Sequence, residues 1–269
     1  MLAGGGAVAP SDGERDRMTG RRVLVLVPHP DDEVVGCAAA ITRGRRDGVE
    51  FSALYLTTGV PPREALWPWQ RRHYARRVER RRAEALAAAA QLDIRVVGFS
   101  DRPSRRLKHD LGEALAAIGA AIVRSGAETL WVPAWEGGHQ DHDVANFLGS
   151  RLAGSVAVSE YALYNFAGGG IRSQRFPETR GTETVLRLDA RERARKRALL
   201  ALYRSERGNL AHVETEVESM RSLPRHDYTR PPHPGTLFAE RFHWVPIPHP
   251  RVDFEPAARI REAFARFTS

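Results

Sequence analysis

The stretch RVLVLVPHPDDE at positions 22–33 decides the fold. Its apolar run, 23–27, lacks the polar alternation of a half-exposed strand, so it predicts a strand buried on both faces, as in a parallel sheet covered by helices. Pro28 and Pro30 interrupt it. The acids Asp31, Asp32 and Glu33 then open a helix over 32–46, with Gly48 just beyond. One strand-to-helix turn therefore carries an imidazole, His29, and three carboxylates.

The same alternation recurs downstream. A second strand over 51–57 leads through a loop, 58–68, into a long helix over 70–92, in which Tyr74, Val78, Ala85, Ala89 and Leu92 form one apolar stripe. A strand over 94–99, a helix over 111–125 and a strand over 129–133 follow. A helix over 143–152, strands over 157–166 and 185–188, and a basic helix over 190–203 complete the pattern. The fold class is α/β: a Rossmann-like open, mostly parallel sheet with helices on both faces and its ligand crevice at the carboxyl ends of the strands. The organisation expected is a flexible leader over 1–20, a catalytic domain over 21–223, and an extended proline-rich C-terminal tail over 224–269 packed on the same domain.

Composition bounds the function without choosing it. The 269 residues are 42% hydrophobic, enough for a sizeable core and unlike a disordered chain. No apolar run approaches the ~20 residues of a membrane helix, so no membrane span is expected. Cys37 is the single cysteine, which excludes an internal disulfide or a cysteine-rich zinc knuckle and suits a cytoplasmic setting. Forty-one basic against 33 acidic residues give a net charge of +8, a bias toward anions. Lys108 and Lys196 are the only lysines, so that charge is carried almost wholly by guanidinium.

The crevice rule predicts reactive side chains directly after strands. Past the strand at 129–133 come Trp135, Glu136, Gly137, Gly138, His139, Gln140, Asp141, His142 and Asp143. Imidazoles and carboxylates converging from two such loops can hold a divalent ion with positions left open for water and substrate. Asp31 and Asp32 alone would read as helix caps. With His29 beside them and a His-x-Asp-His cluster on a neighbouring strand end, a catalytic centre is the stronger reading.

PHPDDE at 28–33 together with GGHQDHD at 137–143 resembles the PIG-L family, also called LmbE-like deacetylases, over roughly residues 22–203. The resemblance implies a metal-dependent N-deacetylase of N-acetylglucosamine conjugates and related natural products, acting on a small-molecule amino-sugar substrate. By motif position it implies His29, Asp32 and His142 as ligands to one Zn2+, with Fe2+ as a possible substitute. Asp31 becomes the general base on water, His139 the oxyanion stabiliser or proton donor, and Asp141 the residue that holds the ring of His139. Arg81 and Asp101 are similar to family residues that contact sugar hydroxyls. Gln140 departs from the usual proline, and Gly137 stands where the mycothiol-pathway member has a tyrosine.

Several residues keep a plainer reading beside the functional one. Glu33 is expected to cap its helix and Glu136 to be an ordinary loop charge. Trp131 reads as core, while Trp67, Trp69 and Trp135 are candidate substrate contacts whose indole faces suit a flat or apolar group. His212, His226, His233, His243 and His249 share no spacing and are assigned to no metal. A zinc amidase of thiol-conjugate or peptide amides is the alternative enzyme. The rival class, a nucleic-acid or anionic-surface binder, rests on the arginines of 71–82 and 191–197. No nucleic-acid fold signature accompanies them, so no nucleic-acid partner is expected.

Overall fold

A computed structural model describes residues 20–247, 249–250 and 252–268. All of the expected leader except Gly20 lies outside them. The strands are β1 (Arg22–Val27), β2 (Glu50–Tyr55), β3 (Ile94–Phe99), β4 (Thr129–Pro133), β5 (Ala157–Tyr161), β6 (Tyr164–Asn165), β7 (Arg172–Ser173), β8 (Thr184–Arg187) and β9 (Val217–Ser222). The helices are α1 (Asp32–Arg46), α2 (Tyr74–Leu92), α3 (Leu111–Ser125), α4 (Gln140–Leu152), α5 (Ala190–Leu200) and α6 (Ala258–Thr268).

The seven-stranded sheet runs β3-β2-β1-β4-β5-β9-β8. Strands β1 to β5 pair in parallel, and β9 joins both β5 and β8 antiparallel. From β1 the chain moves outward to β2 and β3, then returns to place β4 on the other side of β1. This reversal is the switch point at which open α/β sheets form a crevice. Each face of β1 has its own core. Val23, Val25 and Val27 pack with α1 and α2, whereas Leu24 and Leu26 pack with α3, α4 and α6.

Four sequence expectations are corrected. The helix expected over 70–92 is a single turn, Pro68–Arg71, followed by α2, because His73 adopts φ −106°, ψ 15° and the Gln70 side chain folds back onto the Trp67 amide. The strand expected over 157–166 stops at Tyr161: the amide of Ala162 turns to Ser219 O, and those of Leu163 and Tyr164 turn to the Glu136 carboxylate. Strand β9, which no apolar run announces, buries Glu218 and Arg221. The tail is not extended throughout. Among its described residues between 224 and 257 it carries one short 3-10 turn, Phe238–Glu240, and α6 follows. The Phe264 ring of that helix stacks on Phe147 with centroids 4.0 Å apart.

Helix α1, which opens with the acids of the first motif, is broken at Cys37 (φ −147°, ψ 22°). Gly36 allows the break to lie close to the sheet, since a Cβ there would stand 2.3 Å from the Tyr161 ring. The amides freed by the break, Ala39 and Ala40, donate to the Glu218 carboxylate at 2.9–3.0 Å. Lys196 donates to Val35 O at 2.7 Å and to Glu218 at 2.8 Å. A fully buried ion pair thus takes the place of the missing helical hydrogen bonds. Glu218→Ala leaves Lys196 charged and unpaired and should cost about 3–5 kcal/mol of stability. Denaturant unfolding measures this, and adding Lys196→Met should recover part of the loss.

Candidate active site

At the carboxyl end of β1 the chain turns through Pro28, His29 and Pro30 into Asp31, whose backbone (φ 128°, ψ −24°) lies where a side chain is rarely tolerated. Such a conformation costs on the order of 1–3 kcal/mol and persists only when its surroundings impose it. They do so here. The amides of Val34 and Val35 donate to Asp31 O at 2.9 and 2.8 Å, and the Asp31 amide donates to Glu33 at 3.2 Å. Glu33 is fully buried and accepts the Tyr203 hydroxyl. Burial pushes its carboxyl up to about 7. It braces the turn, well beyond the helix cap expected of it.

From the neighbouring strand, β4, the loop ending in His139 enters α4. Asp143 accepts the amides of Glu136 and Gly137, and a Cβ at Gly138 would stand 2.3 Å from Tyr164 O, so only glycine fits. Glu136, expected as a loop charge, is wholly buried. It accepts the amides of Leu163 and Tyr164 at 2.7 and 3.0 Å and the Asn165 side chain at 3.2 Å. It therefore fastens the β4 loop to the chain after β5.

The two motifs meet. His29 Nδ1 lies 3.0 Å from His142 Nε2 and 3.4 Å from Asp32 Oδ2, and the remaining edge, from His142 Nε2 to Asp32 Oδ2, is 3.2 Å. Tetrahedral ligation at about 2.0–2.1 Å separates donor atoms by about 3.3–3.4 Å, so this triangle is close to one face of such a polyhedron. Electrostatics agrees with the geometry. Burial would push the His29 imidazole down, yet hydrogen bonds to Asp141 and Asp32 and their negative charges raise it to about 10. A pocket that favours a proton so strongly is one that attracts a cation. The set of two nitrogens and one oxygen is compatible with a divalent metal.

His139 joins the same cluster of histidines. It caps α4 by accepting the Asp141 amide on Nδ1 at 3.0 Å, so the neutral ring carries its proton on Nε2. Burial and the positive neighbours His29, His142 and Arg105 hold its pKa well below the ordinary range. Asp141, expected to hold the ring of His139, has its carboxylate 3.8 Å from that Nδ1 and 3.0 Å from His29 Nε2. Its carboxylate also accepts the amides of Arg105 and Leu107, at 2.6 and 3.2 Å. The Asp141 carboxylate orients His29, and its amide orients His139.

Asp31 forms no hydrogen bond or ion pair with the two histidines of the triangle; its ion pair is with Arg81. Its Oδ2 receives both Nη1 and Nη2 of the buried Arg81 at 3.2 Å, and Arg81 Nη1 lies 3.5 Å from Glu206. Burial raises the Asp31 carboxyl while the Arg81 charge opposes it. These groups open on a cavity of about 590 Å³ lined by Asp31, Arg81, His139, Tyr164, His212 and Phe238 among others.

Four expected substrate contacts do not reach that cavity. Trp135 is 5% exposed and packs in the core against Tyr228 and Phe264. Trp67 and Trp69 stack on each other at 5.4 Å, with Trp69 61% exposed. Asp101 faces solvent 3.9 Å from Arg82. Conversely, no local motif marks Tyr164, His212 or Phe238, which chain segments distant in sequence bring to the cavity. Gln140 has a particular role at the place where a proline is usual. It accepts from Lys108 at 2.5 Å and donates to Glu255 O at 2.6 Å, tying the site loop to the tail.

Residues 24–153 match the PIG-L family, GlcNAc-PI de-N-acetylase. Over 144 residues the chain is 31% identical to a 2'-N-acetylparomamine deacetylase of Streptomyces fradiae, covering 48% of this chain and 50% of that protein. The chain thus spans about half the length of the curated relative it matches. Among solved structures, an A40926 pseudoaglycone deacetylase superposes with a TM-score of 0.56 at 19% identity, over 75% of this chain and 96% of the other. A deacetylase from the teicoplanin biosynthesis pathway gives a TM-score of 0.59 at 20% identity, over 77% and 99%. The zinc inhibited form of a teicoplanin deacetylase gives 0.57 at 20%, over 77% and 99%. The shared architecture is a mostly parallel sheet surrounded by helices.

Two outcomes are expected from this geometry. Metal analysis of His29→Ala, Asp32→Ala and His142→Ala should show loss of bound divalent ion, whereas Asp31→Asn should retain it. Burial pushes the Glu136 carboxyl up to about 8, although its amide donors oppose the shift. Between the ~4.3 of an unfolded glutamate and that value, the folded chain holds a proton the unfolded chain has released. Stability from this group therefore falls as pH rises, by at most about 1.4 kcal/mol per pH unit. Glu136→Gln should flatten the decline when unfolding is compared between about pH 5 and 8.

Proposed function

With residues 24–153 a PIG-L family domain, we propose that the chain is a metal-dependent hydrolase that removes an N-acyl group, N-acetyl in the first instance, from an amino-sugar-containing small molecule or glycosylated natural product. The observation that carries this reading is the ligand triangle of His29, Asp32 and His142 beside a carboxylate, Asp31, held apart from it by Arg81. The similarity to a protein named as an N-acetylparomamine deacetylase supports the substrate class.

His29, Asp32 and His142 would hold one ion, zinc or ferrous iron in its place, which when bound polarises the amide carbonyl and acidifies water. Asp31 accepts the proton of the attacking water, its carboxylate kept in place by both terminal nitrogens of Arg81. His139, neutral and protonated on Nε2, donates a hydrogen bond to the carbonyl oxygen as negative charge builds there, and the proton taken up by Asp31 passes to the departing amine. Asp141 fixes both rings, His29 through its carboxylate and His139 through its amide. The roles of Arg81 and Asp141 are therefore positioning ones.

No described helix is long and apolar enough to cross a membrane. A cytoplasmic setting suits Cys37, which is buried and free.

The decisive experiment measures released acetate or longer acid from N-acetylated aminoglycosides, N-acetylglucosamine conjugates and N-acyl glycosides, with stoichiometric zinc or iron and with chelator. Chelator-sensitive turnover supports the proposal; a metallated protein that cleaves none of them but cleaves a thiol-conjugate or peptide amide overturns its substrate class. Asp31→Asn should lower kcat by about 10²–10⁴-fold with its metal retained. His139→Ala should lower it by about 10²–10³-fold, as expected for a lost oxyanion donor.

A further inference from the structure

One wall of the cavity is built by residues outside 24–153. The Tyr164 ring lies 5.4 Å from that of His142, so this wall begins beside the ligand triangle. Phe238 follows at 4.6 Å from Tyr164, and His212 packs 5.0 Å from Tyr164 and 5.5 Å from Phe238. Above Phe238, 3.4 Å from its centroid, sits the guanidinium of Arg241, whose Nη1 donates to Phe238 O at 2.6 Å. Tyr164, His212, Phe238 and Arg241 all line the cavity.

Two polar groups on this wall have bonding capacity left over. Arg241 is half-buried and has no ion-pair partner among the described residues. Burial lowers its pKa. Nε2 of His212 is buried without a hydrogen-bond partner, and burial together with the neighbouring Arg241 charge keeps that ring below the ordinary histidine range. None of the acids of the same cavity forms an ion pair with Arg241. Asp31 and Glu206 face Arg81, Asp32 faces the two histidines, and Asp253 acts on Arg105 through its charge, its Oδ2 having no hydrogen-bond partner. A half-buried guanidinium without a counter-charge and a lone acceptor on an aromatic floor gain from a ligand that supplies the missing partners.

We propose that Tyr164, His212, Phe238 and Arg241 form a second subsite for an anionic, hydroxyl-bearing substituent of the substrate. Arg241 pairs with a carboxylate or phosphate, and Nε2 of His212 accepts a hydroxyl proton. The aromatic faces of Tyr164 and Phe238 receive the apolar face of the same sugar. This narrows the substrate to an acidic N-acyl amino sugar and rests on the amino-sugar reading above.

The test reads binding without turnover, so that it stands apart from the question of whether the amide is cleaved. Calorimetry on the full chain, stripped of metal by chelator and then dialysed, compares N-acetylglucosamine with its 6-phosphate and with N-acetylmuramic acid. The charged sugars should bind at least about tenfold tighter, as a charge-assisted hydrogen bond allows. Whichever of the two binds tighter distinguishes phosphate from carboxylate. Arg241→Met should erase the preference and leave N-acetylglucosamine unchanged, Arg241→Lys should keep most of it, and His212→Ala should weaken all three ligands several-fold. The proposal is overturned if the charged sugars bind no tighter than the neutral one, absence of binding by all three included. It is equally overturned if Arg241→Met keeps the preference, or if Arg241→Lys loses it as completely as Arg241→Met, which would assign Arg241 to packing alone.

Discussion

His29, Asp31, Asp32, Asp141 and His142 are each less than a tenth exposed, and they converge at one end of β1 and β4. Removing so many ionisable groups from water is tolerable only if every one finds a partner, because an unpaired buried charge costs several kcal/mol. That constraint explains the neighbourhood. Asp31 has Arg81, Asp141 has His29 and two backbone amides, and Asp32 has both histidines and the His29 amide. A divalent ion in the triangle would match the carboxylates still facing it.

The same constraint reaches into the body of the fold. The first motif is only as well placed as the start of α1, and α1 is broken a turn and a half later at Cys37. A second buried charge pair, Lys196 with Glu218, secures that break from α5 and β9. One strand of opposite direction near the edge of the sheet, together with α5, thereby supports a turn three strands away. Glu136 has the corresponding role for the second motif, tying the β4 loop to the segment that presents Tyr164.

The C-terminal region is more than a wrapping. Glu255 meets Lys108 at 2.6 Å, and Gln140 bonds to the Glu255 carbonyl, so the tail is anchored to the first residue of α4. Arg105 reaches the carbonyls of Pro250 and Val252 while its amide serves Asp141. Phe238 and Arg241 in the cavity wall, and α6 in the core, come from this same region. The cavity wall is thus built in part by residues that lie far along the chain from the two His/Asp motifs.

What the sequence determined by itself was local and periodic. The apolar run of β1, the acids opening α1, the βα alternation and the two His/Asp clusters are contiguous, and the rule that crevices lie at strand ends brings the clusters together without coordinates. The tertiary structure decided whatever depends on contacts between distant segments. It put the Asp141 carboxylate on His29, turned Glu33 and Glu136 into buried braces, sent Trp135 to the core and left Asp101 in solvent. It also gave β9 and α6 their places. β9 carries no strong local signal and is held by the strands on either side of it, whereas α6 has an apolar stripe of its own, Ile260, Phe264 and Phe267, and it is the helices more than a hundred residues earlier that give the stripe its place. Periodicity encodes which face of an element is apolar; which distant charge will neutralise a buried carboxylate is encoded only by the folded chain.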